Sequence, residues 1–262
     1  MSESTPREPI RRVRREPPRF RHVAVVRVRR LTNRLVRVTL DGPDLDELVI
    51  DEPAASVRLL LPSHPRSELV IPTWNGNEFL LPEGTRPILR TFTPIRSPGA
   101  TSELMLDVVR HDGGAASDWA VAAVPGDRAA VSGPGRGYAP DSEASAFLLT
   151  GDETAVPAIS QLLAVLAPQR PIQVGIEVRS SDAIRDLFAE DATRVEWCVL
   201  EEGSPPGEAQ MRYVRGARLE PGARIWAAGE AAAMQRIRRY LFDERGIERA
   251  NTMIRGYWKR TV

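Results

Sequence analysis

The sequence predicts a molecule of two parts, a small antiparallel β-barrel of about six strands followed by a parallel-sheet α/β unit. Three observations carry this expectation. Between Arg21 and about Gly137, short runs of alternating apolar residues follow one another with little helix between them, as in a small closed barrel. From Ala146 onward strand-like runs alternate with helix-like ones, the pattern of a parallel sheet covered on both faces. Between the two lies Pro134 to Ser145, rich in glycine and proline. The expected units are therefore 1–19 as a disordered basic arm, 20–140 as the barrel, and 145–262 as the α/β domain with a C-terminal extension.

The arm holds six arginines, three glutamates and four prolines, which suits a solvated tail. No interleaved aromatic residues support RNA binding there. His22–Arg29 is valine-rich, and Val36, Val38 and Leu40 alternate with Leu35, Arg37 and Thr39 over Arg34–Asp41, so both read as strands. Ser56–Leu61 is a short apolar strand, and residues 62–87 read as a long loop with one short strand near Leu69–Ile71. Arg90–Thr93, Glu103–Arg110 and Asp127–Ser132 complete the barrel, with a helix over Ala116–Ala123. Beyond the boundary come a strand at Ala146–Thr150 and a helix with Ile159, Leu162, Leu163 and Leu166 on one stripe. A strand at Ile172–Val178 follows, then a helix capped near Ser181 carrying Ile184, Leu187 and Phe188, then a strand at Val195–Leu200. After a Gly/Pro-rich loop the pattern gives a strand at Arg224–Ala228 and a helix from Glu230 to Glu244, with Gly246 after its end.

Composition narrows the chemistry. The net charge is +1, so no global field favours nucleic acid or membrane. Cys198 is the only cysteine, and His22, His64 and His111 have no ligand spacing; no metal site is expected. Redox chemistry would have to come from a bound organic cofactor. No apolar run approaches the roughly 18 residues of a membrane span, and the arginine pairs of the arm precede no apolar segment. The cytoplasm is the expected location, and a monomer the expected state.

The stretch Arg90–Ala120 concentrates candidate binding residues. Arg90, Phe92 and Thr93 set a cation, an aromatic ring and a hydroxyl along one strand, suited to a phosphate, a flat heterocycle and a ring nitrogen. About twenty residues on, His111-Asp112-Gly113-Gly114-Ala115-Ala116-Ser117 sets small residues before a helix, where backbone N–H groups approach a pyrophosphate. Together they suit flavin adenine dinucleotide (FAD). In the second unit Gly151-Asp152-Glu153-Thr154, Arg179-Ser180 and Gly229-Glu230 fall at strand carboxyl ends, where open parallel sheets bind ligands. The Gly-x-Gly-x-x-Gly fingerprint is absent.

These segments, with Ala155-Val156-Pro157-Ala158-Ile159, Trp226-Ala227-Ala228-Gly229-Glu230 and Gly256-Tyr257-Trp258-Lys259, resemble the siderophore-interacting protein family, flavin-dependent ferric-siderophore reductases related to ferredoxin–NADP reductases. The resemblance covers roughly residues 20–260. It implies a flavin-binding barrel and an NAD(P)H-binding α/β domain. It assigns Arg90 to the flavin diphosphate, Phe92 to the isoalloxazine, Thr93 to the flavin N5 region as the residue nearest the chemistry, and Gly114, Ala115, Ala116 and Ser117 to the pyrophosphate. The family usually has tyrosine at position 92 and commonly proline at position 115; this chain keeps the stacking ring without the hydroxyl and has a less constrained loop.

The implied activity is electron transfer from NAD(P)H through FAD to the Fe(III) of a siderophore. Reduction frees the iron because Fe(II) binds oxygen donors more weakly. Two alternatives stay open: a flavin reductase serving a ferredoxin or another protein acceptor, and a flavoprotein that carries siderophore without turnover. Arg179 and Ser180 follow the second α/β strand, where a 2′-phosphate would lie, so NADPH is expected over NADH. Trp258, Lys259 and Arg260 are expected to line the pocket of an anionic ferric siderophore.

Overall fold

The computed structural model describes residues 17, 19–64, 66–96, 102–166, 170–187 and 193–260. The expected arm lies outside the described residues apart from Pro17 and Arg19.

The first sheet is built from β1 (Phe20–Arg30), β2 (Leu35–Asp41), β3 (Val57–Leu61), β6 (Ile88–Phe92), β7 (Glu103–Val109) and β8 (Arg128–Ser132), in the order β6-β3-β8-β1-β2-β7. Every pairing is antiparallel. The two edges meet where Ile95 and Met105 exchange backbone hydrogen bonds of 2.8 Å each. That contact joins the end of β6 to β7 and closes the barrel. Alternation does the packing: Val36, Val38 and Leu40 of β2 point inward to meet Leu59, Leu104 and Leu106, all buried. Truncating one of these leucines to alanine would cost about 2–5 kcal/mol. The helix α1 (Ala115–Ala122) packs against β2, β6 and β7, burying Ala116 and Ala120 in the same core.

The strand expected near Leu69–Ile71 is not formed. The loop instead carries a small hairpin of β4 (Thr73–Trp74) and β5 (Phe79–Leu80). Asn75 sets its turn, its side-chain oxygen accepting from the N–H groups of Asn77 and Glu78 at 2.9 Å. Phe79 then meets Phe20 edge-on and Trp74 at a tilt.

The second sheet is parallel throughout, in the order β11-β10-β9-β12-β13. Its strands are β9 (Phe147–Asp152), β10 (Ile172–Val178), β11 (Thr193–Val199), β12 (Arg224–Glu230) and β13 (Thr252–Trp258). The helix α2 (Val156–Leu166) follows β9, α3 (Glu208–Gly216) lies between β11 and β12, and α4 (Ala231–Arg239) follows β12, extended by a π-turn over Tyr240–Glu244. Strand order reverses between β9 and β12, so the crevice at their carboxyl ends is the switch point where such sheets bind ligands.

Three expectations are corrected. The segment after Ser181 forms only a short 3-10 turn, Ser181–Ala183, and residues 184–187 are not helical. Arg185 reaches instead to the barrel, donating to Asp107 at 3.3 Å; Phe188 lies outside the described residues. The stretch read as a Gly/Pro-rich loop contains α3. And the C-terminal extension is an edge strand, β13, hydrogen bonded to β12.

The two sheets are tied by polar contacts. Asp107, with 1% of its side chain exposed, accepts from Arg37 at 2.7 and 2.9 Å as well as from Arg185. The Gln161 amide of α2 spans the seam, accepting from Ala54 N–H at 2.8 Å and donating to the Pro94 carbonyl at 2.6 Å.

Candidate functional site

The site begins on β6. Arg90 is exposed, and its Nη1 donates to the neighbouring Leu89 carbonyl at 3.0 Å. Phe92 is half-buried, with its ring against the barrel core. Thr93, just past the strand, is buried. Its hydroxyl meets the phenol of Tyr257, which comes from β13 of the other sheet. Burial raises the Tyr257 pKa, the contact with Thr93 and the charge of Arg255 lower it, and the Asp152 charge raises it; the phenol stays protonated at neutral pH.

Tyr257 reaches Thr93 because of a β-bulge. Gly229 pairs with Gly256 and Glu230 with Trp258, so Tyr257 is an extra residue on β13. Its ring lies edge-on to buried Trp226, with centroids 6.2 Å apart. Sequence reasoning placed the motif but not this residue's role. The usable signal was a glycine beside an aromatic within a strand-like run.

The segment expected to hold a pyrophosphate lies at the start of α1. The N-cap is Gly114, which supplies no side-chain cap, so the first-turn N–H groups of Ala115, Ala116 and Ser117 point outward without an acceptor of that kind. A Cβ on Gly114 would lie 2.2 Å from the His111 ring, so only glycine lets the imidazole lie over the backbone. Ser117 is buried, and its Oγ accepts from His111 N–H at 3.0 Å. The helix α1 packs on β6, the strand that carries Arg90. A bare helix N-terminus, a guanidinium without an ion-pair partner among the described residues and a glycine that admits close approach fit a flavin diphosphate.

The residues expected at the strand ends of the second sheet have structural partners. Asp152 is buried; its Oδ1 accepts from Thr154 N–H at 2.9 Å and from the Thr154 hydroxyl at 2.5 Å. Its Oδ2 accepts from the Trp258 indole N–H at 2.6 Å. Burial pushes the Asp152 carboxyl up to about 6, against the lowering effect of the Thr154 and Trp258 hydrogen bonds and with a small further push from Glu177. Glu153 is engaged by Arg34 of the barrel at 3.2 Å and by Arg179 N–H at 3.1 Å. Glu230 is buried, capping α4 by accepting from Ala233 N–H at 2.8 Å and also receiving Arg260 N–H at 3.4 Å. Gly151 and Gly229 end in this cluster. A Cβ on Gly229, whose φ is +155°, would stand 2.9 Å from Asp152 Oδ2. The Gln210 Oε1, 3.3 Å from that same point, is buried without a partner among the described residues.

The remaining residues are peripheral to the cradle. The Arg179 side chain is exposed, while the Ser180 hydroxyl is engaged by Asp182. Lys259 and Arg260 are exposed past the end of β13, and the Trp258 indole N–H is committed to Asp152. Among the described residues no cluster of side chains suits a metal ion.

Comparison with known proteins agrees with this arrangement. Residues 24–138 match the model of the siderophore-interacting FAD-binding domain, and residues 144–261 that of the siderophore-interacting protein. The NADPH-dependent ferric-chelate reductase of Escherichia coli is 30% identical over 260 residues, covering 97% of this chain and 98% of that one. The ferric vibriobactin reductase of Vibrio cholerae is 28% identical, covering 90% and 88%. The crystal structure of a siderophore utilization protein from T. fusca superposes with a TM-score of 0.81 at 34% identity, covering 94% of this chain and 95% of that one. With one family model over its barrel, another over its parallel sheet and a relative 30% identical over almost the whole of both chains, this chain belongs to the siderophore-interacting protein family.

Proposed function

We propose that this protein is a cytoplasmic, monomeric, NAD(P)H-dependent FAD reductase that delivers electrons to the Fe(III) of siderophores. One observation carries the proposal: the strand that presents exposed Arg90 packs against α1, whose N-terminus is bare, and runs into a Thr93 that meets Tyr257 of the other sheet. The names of the relatives, a ferric-chelate reductase and a ferric vibriobactin reductase, support it. Among the described residues no helix is long and apolar enough to cross a membrane.

Bound flavin would supply the relay between a two-electron donor and a one-electron acceptor. One NAD(P)H and two Fe(III) then yield NAD(P)⁺, a proton and two Fe(II). Arg90 and the first-turn N–H groups of α1 bind the diphosphate. Phe92 offers the aromatic face, and Thr93 orients the reacting edge. Arg179 is the cation available to a 2′-phosphate. Glu153 and Asp182 lie at its turn, so preference for NADPH over NADH is expected to be modest. Lys259 and Arg260 draw anionic ferric siderophores to the same side by long-range attraction.

The test is steady-state oxidation of NADPH and NADH by the flavin-loaded protein, with and without a ferric tris-catecholate, while a chelator traps Fe(II). Fe(II) formed in step with NAD(P)H consumption supports the proposal. Turnover with a reducible ferredoxin and none with the siderophore would favour the protein-acceptor alternative. Siderophore binding without turnover would make the protein a carrier.

A further inference from the structure

Thr93 sits where two sheet edges meet. The strands β6 and β13 are edge strands of their sheets. Thr93 lies just past the end of the first, and Tyr257 lies in the second. The backbone around Thr93 is held before, after and from the other half of the molecule. Phe92 pairs with Val57 of β3, and Ile95 exchanges hydrogen bonds of 2.8 Å with Met105. Between them the Pro94 carbonyl accepts from the Gln161 amide of α2 at 2.6 Å. This framework fixes the chain but not the direction of the Thr93 hydroxyl. A threonine hydroxyl has one donor and two acceptor sites, and its hydrogen turns to suit its partners.

The second sheet supplies such a partner. The Tyr257 phenol is hydrogen bonded to the Thr93 hydroxyl. It does so from a fixed point, because the bulge between Gly256 and Trp258 sets where the side chain leaves β13. The ring then stands edge-on to buried Trp226, with 85° between the two planes. A phenylalanine would pack on Trp226 equally well. The phenol hydroxyl adds nothing to that contact and costs free energy to bury unless it is hydrogen bonded. Its partner is the residue that the proposed function sets at the reacting edge.

Resting on the flavin reading of that edge, we propose that Tyr257 is a positioning residue for the reaction: through this phenol the second sheet fixes the direction of the Thr93 hydroxyl. It acts through Thr93 and need not touch the flavin. The hydroxyl is aimed when the two sheets are docked, which ties the chemistry of the barrel to the seating of β13.

Tyr257→Phe keeps the ring on Trp226 and removes the hydroxyl, so its melting temperature should stay within about 4 °C of the wild type. When the FAD-loaded protein is mixed rapidly with NADPH, the limiting rate of flavin reduction should fall about tenfold in this variant. The half-saturating NADPH concentration, and FAD affinity read by flavin fluorescence, should stay within about threefold. Thr93→Val should lose at least as much rate, and the double variant should be no slower than Thr93→Val, since the phenol acts through that hydroxyl. The apoprotein, isotopically labelled at tyrosine Cζ for NMR, gives a readout that needs no flavin. Of the four tyrosine signals, the one missing in Tyr257→Phe must move in Thr93→Val. A wild-type limiting rate in Tyr257→Phe overturns the proposal, as do losses that multiply in the double variant. So does an effect confined to FAD or NADPH affinity, or a Tyr257 signal that Thr93→Val leaves in place. A wild type whose bound FAD is reduced by NADPH keeps the flavin reading whatever Tyr257→Phe shows. One that binds no FAD, or whose FAD is not reduced by NADPH, removes both.

Discussion

The helix N-termini of the two halves differ in what fills them. In the barrel half, α1 starts at Gly114 with no side-chain cap. In the α/β half each helix start near the switch point is filled by a carboxylate from a strand end. Asp152 caps the turn leading into α2, and Glu230 caps α4. Glu177, at the end of β10, accepts from Gly207 N–H at 2.8 Å and Gln210 N–H at 3.0 Å at the start of α3. A helix N-terminus attracts whatever anion is at hand. Where the chain supplies its own, a ligand phosphate is repelled; where it withholds one, a phosphate is invited. On the proposed function, a nicotinamide dinucleotide would rely on side chains such as Arg179, and the flavin diphosphate would take the bare helix end.

The comparison breaks most visibly at Glu177. This carboxylate is buried, and its loss strands two buried N–H donors. Glu177→Ala should destabilise the protein by about 3 kcal/mol, read from urea unfolding. A loss under about 1 kcal/mol would mean that α3 does not depend on the tertiary cap.

The reverse experiment moves a carboxylate to the bare end. Gly114→Asp should weaken FAD binding by about 2 kcal/mol through like-charge repulsion. The apoprotein's melting temperature should hold or rise slightly, since the new side chain caps α1. The exposed His111 ring has room to turn aside. Unchanged FAD affinity would show that the diphosphate lies elsewhere.

The smallest effect concerns the slope of stability with pH at Asp152. Its folded pKa of about 6 exceeds the ordinary value of 3.8. Between those values the folded chain holds a proton that the unfolded chain releases, so this group adds stability on the acid side and loses it as pH rises through about 6. Asp152→Asn should flatten that part of the melting-temperature profile. At neutral pH the lost acceptor for Trp258 and the removed buried charge oppose each other. A profile parallel to the wild type between pH 4 and 7 would show that Asp152 titrates normally.

Much of the cradle was legible from sequence because its parts are local. Arg90, Phe92 and Thr93 are neighbours on one strand, and Gly113-Gly114 ahead of small residues describes a turn and helix start within seven residues. The elements misread were those stabilised from afar. The helix α3 has Met211 and Val214 on a buried face, yet its first N–H groups are satisfied by Glu177, about thirty residues earlier. The helix expected after Ser181 did not form where Arg185 is drawn to Asp107 of the barrel.

By itself the sequence determined the two-part architecture, most of the strands, the two hydrophobic periods and the residue types of the candidate flavin surface, because periodicity, turn chemistry and capping act over a few residues. Only the tertiary structure decided that Ile95 meets Met105 to close the barrel, that β13 joins β12 with Tyr257 bulged toward Thr93, and that three strand-end carboxylates fill helix starts. The contacts of Tyr257 with Thr93 and of Glu177 with the start of α3 join residues far apart in the chain. The free energy that selects such contacts comes from burial and hydrogen bonding in the assembled core, and no local pattern records it.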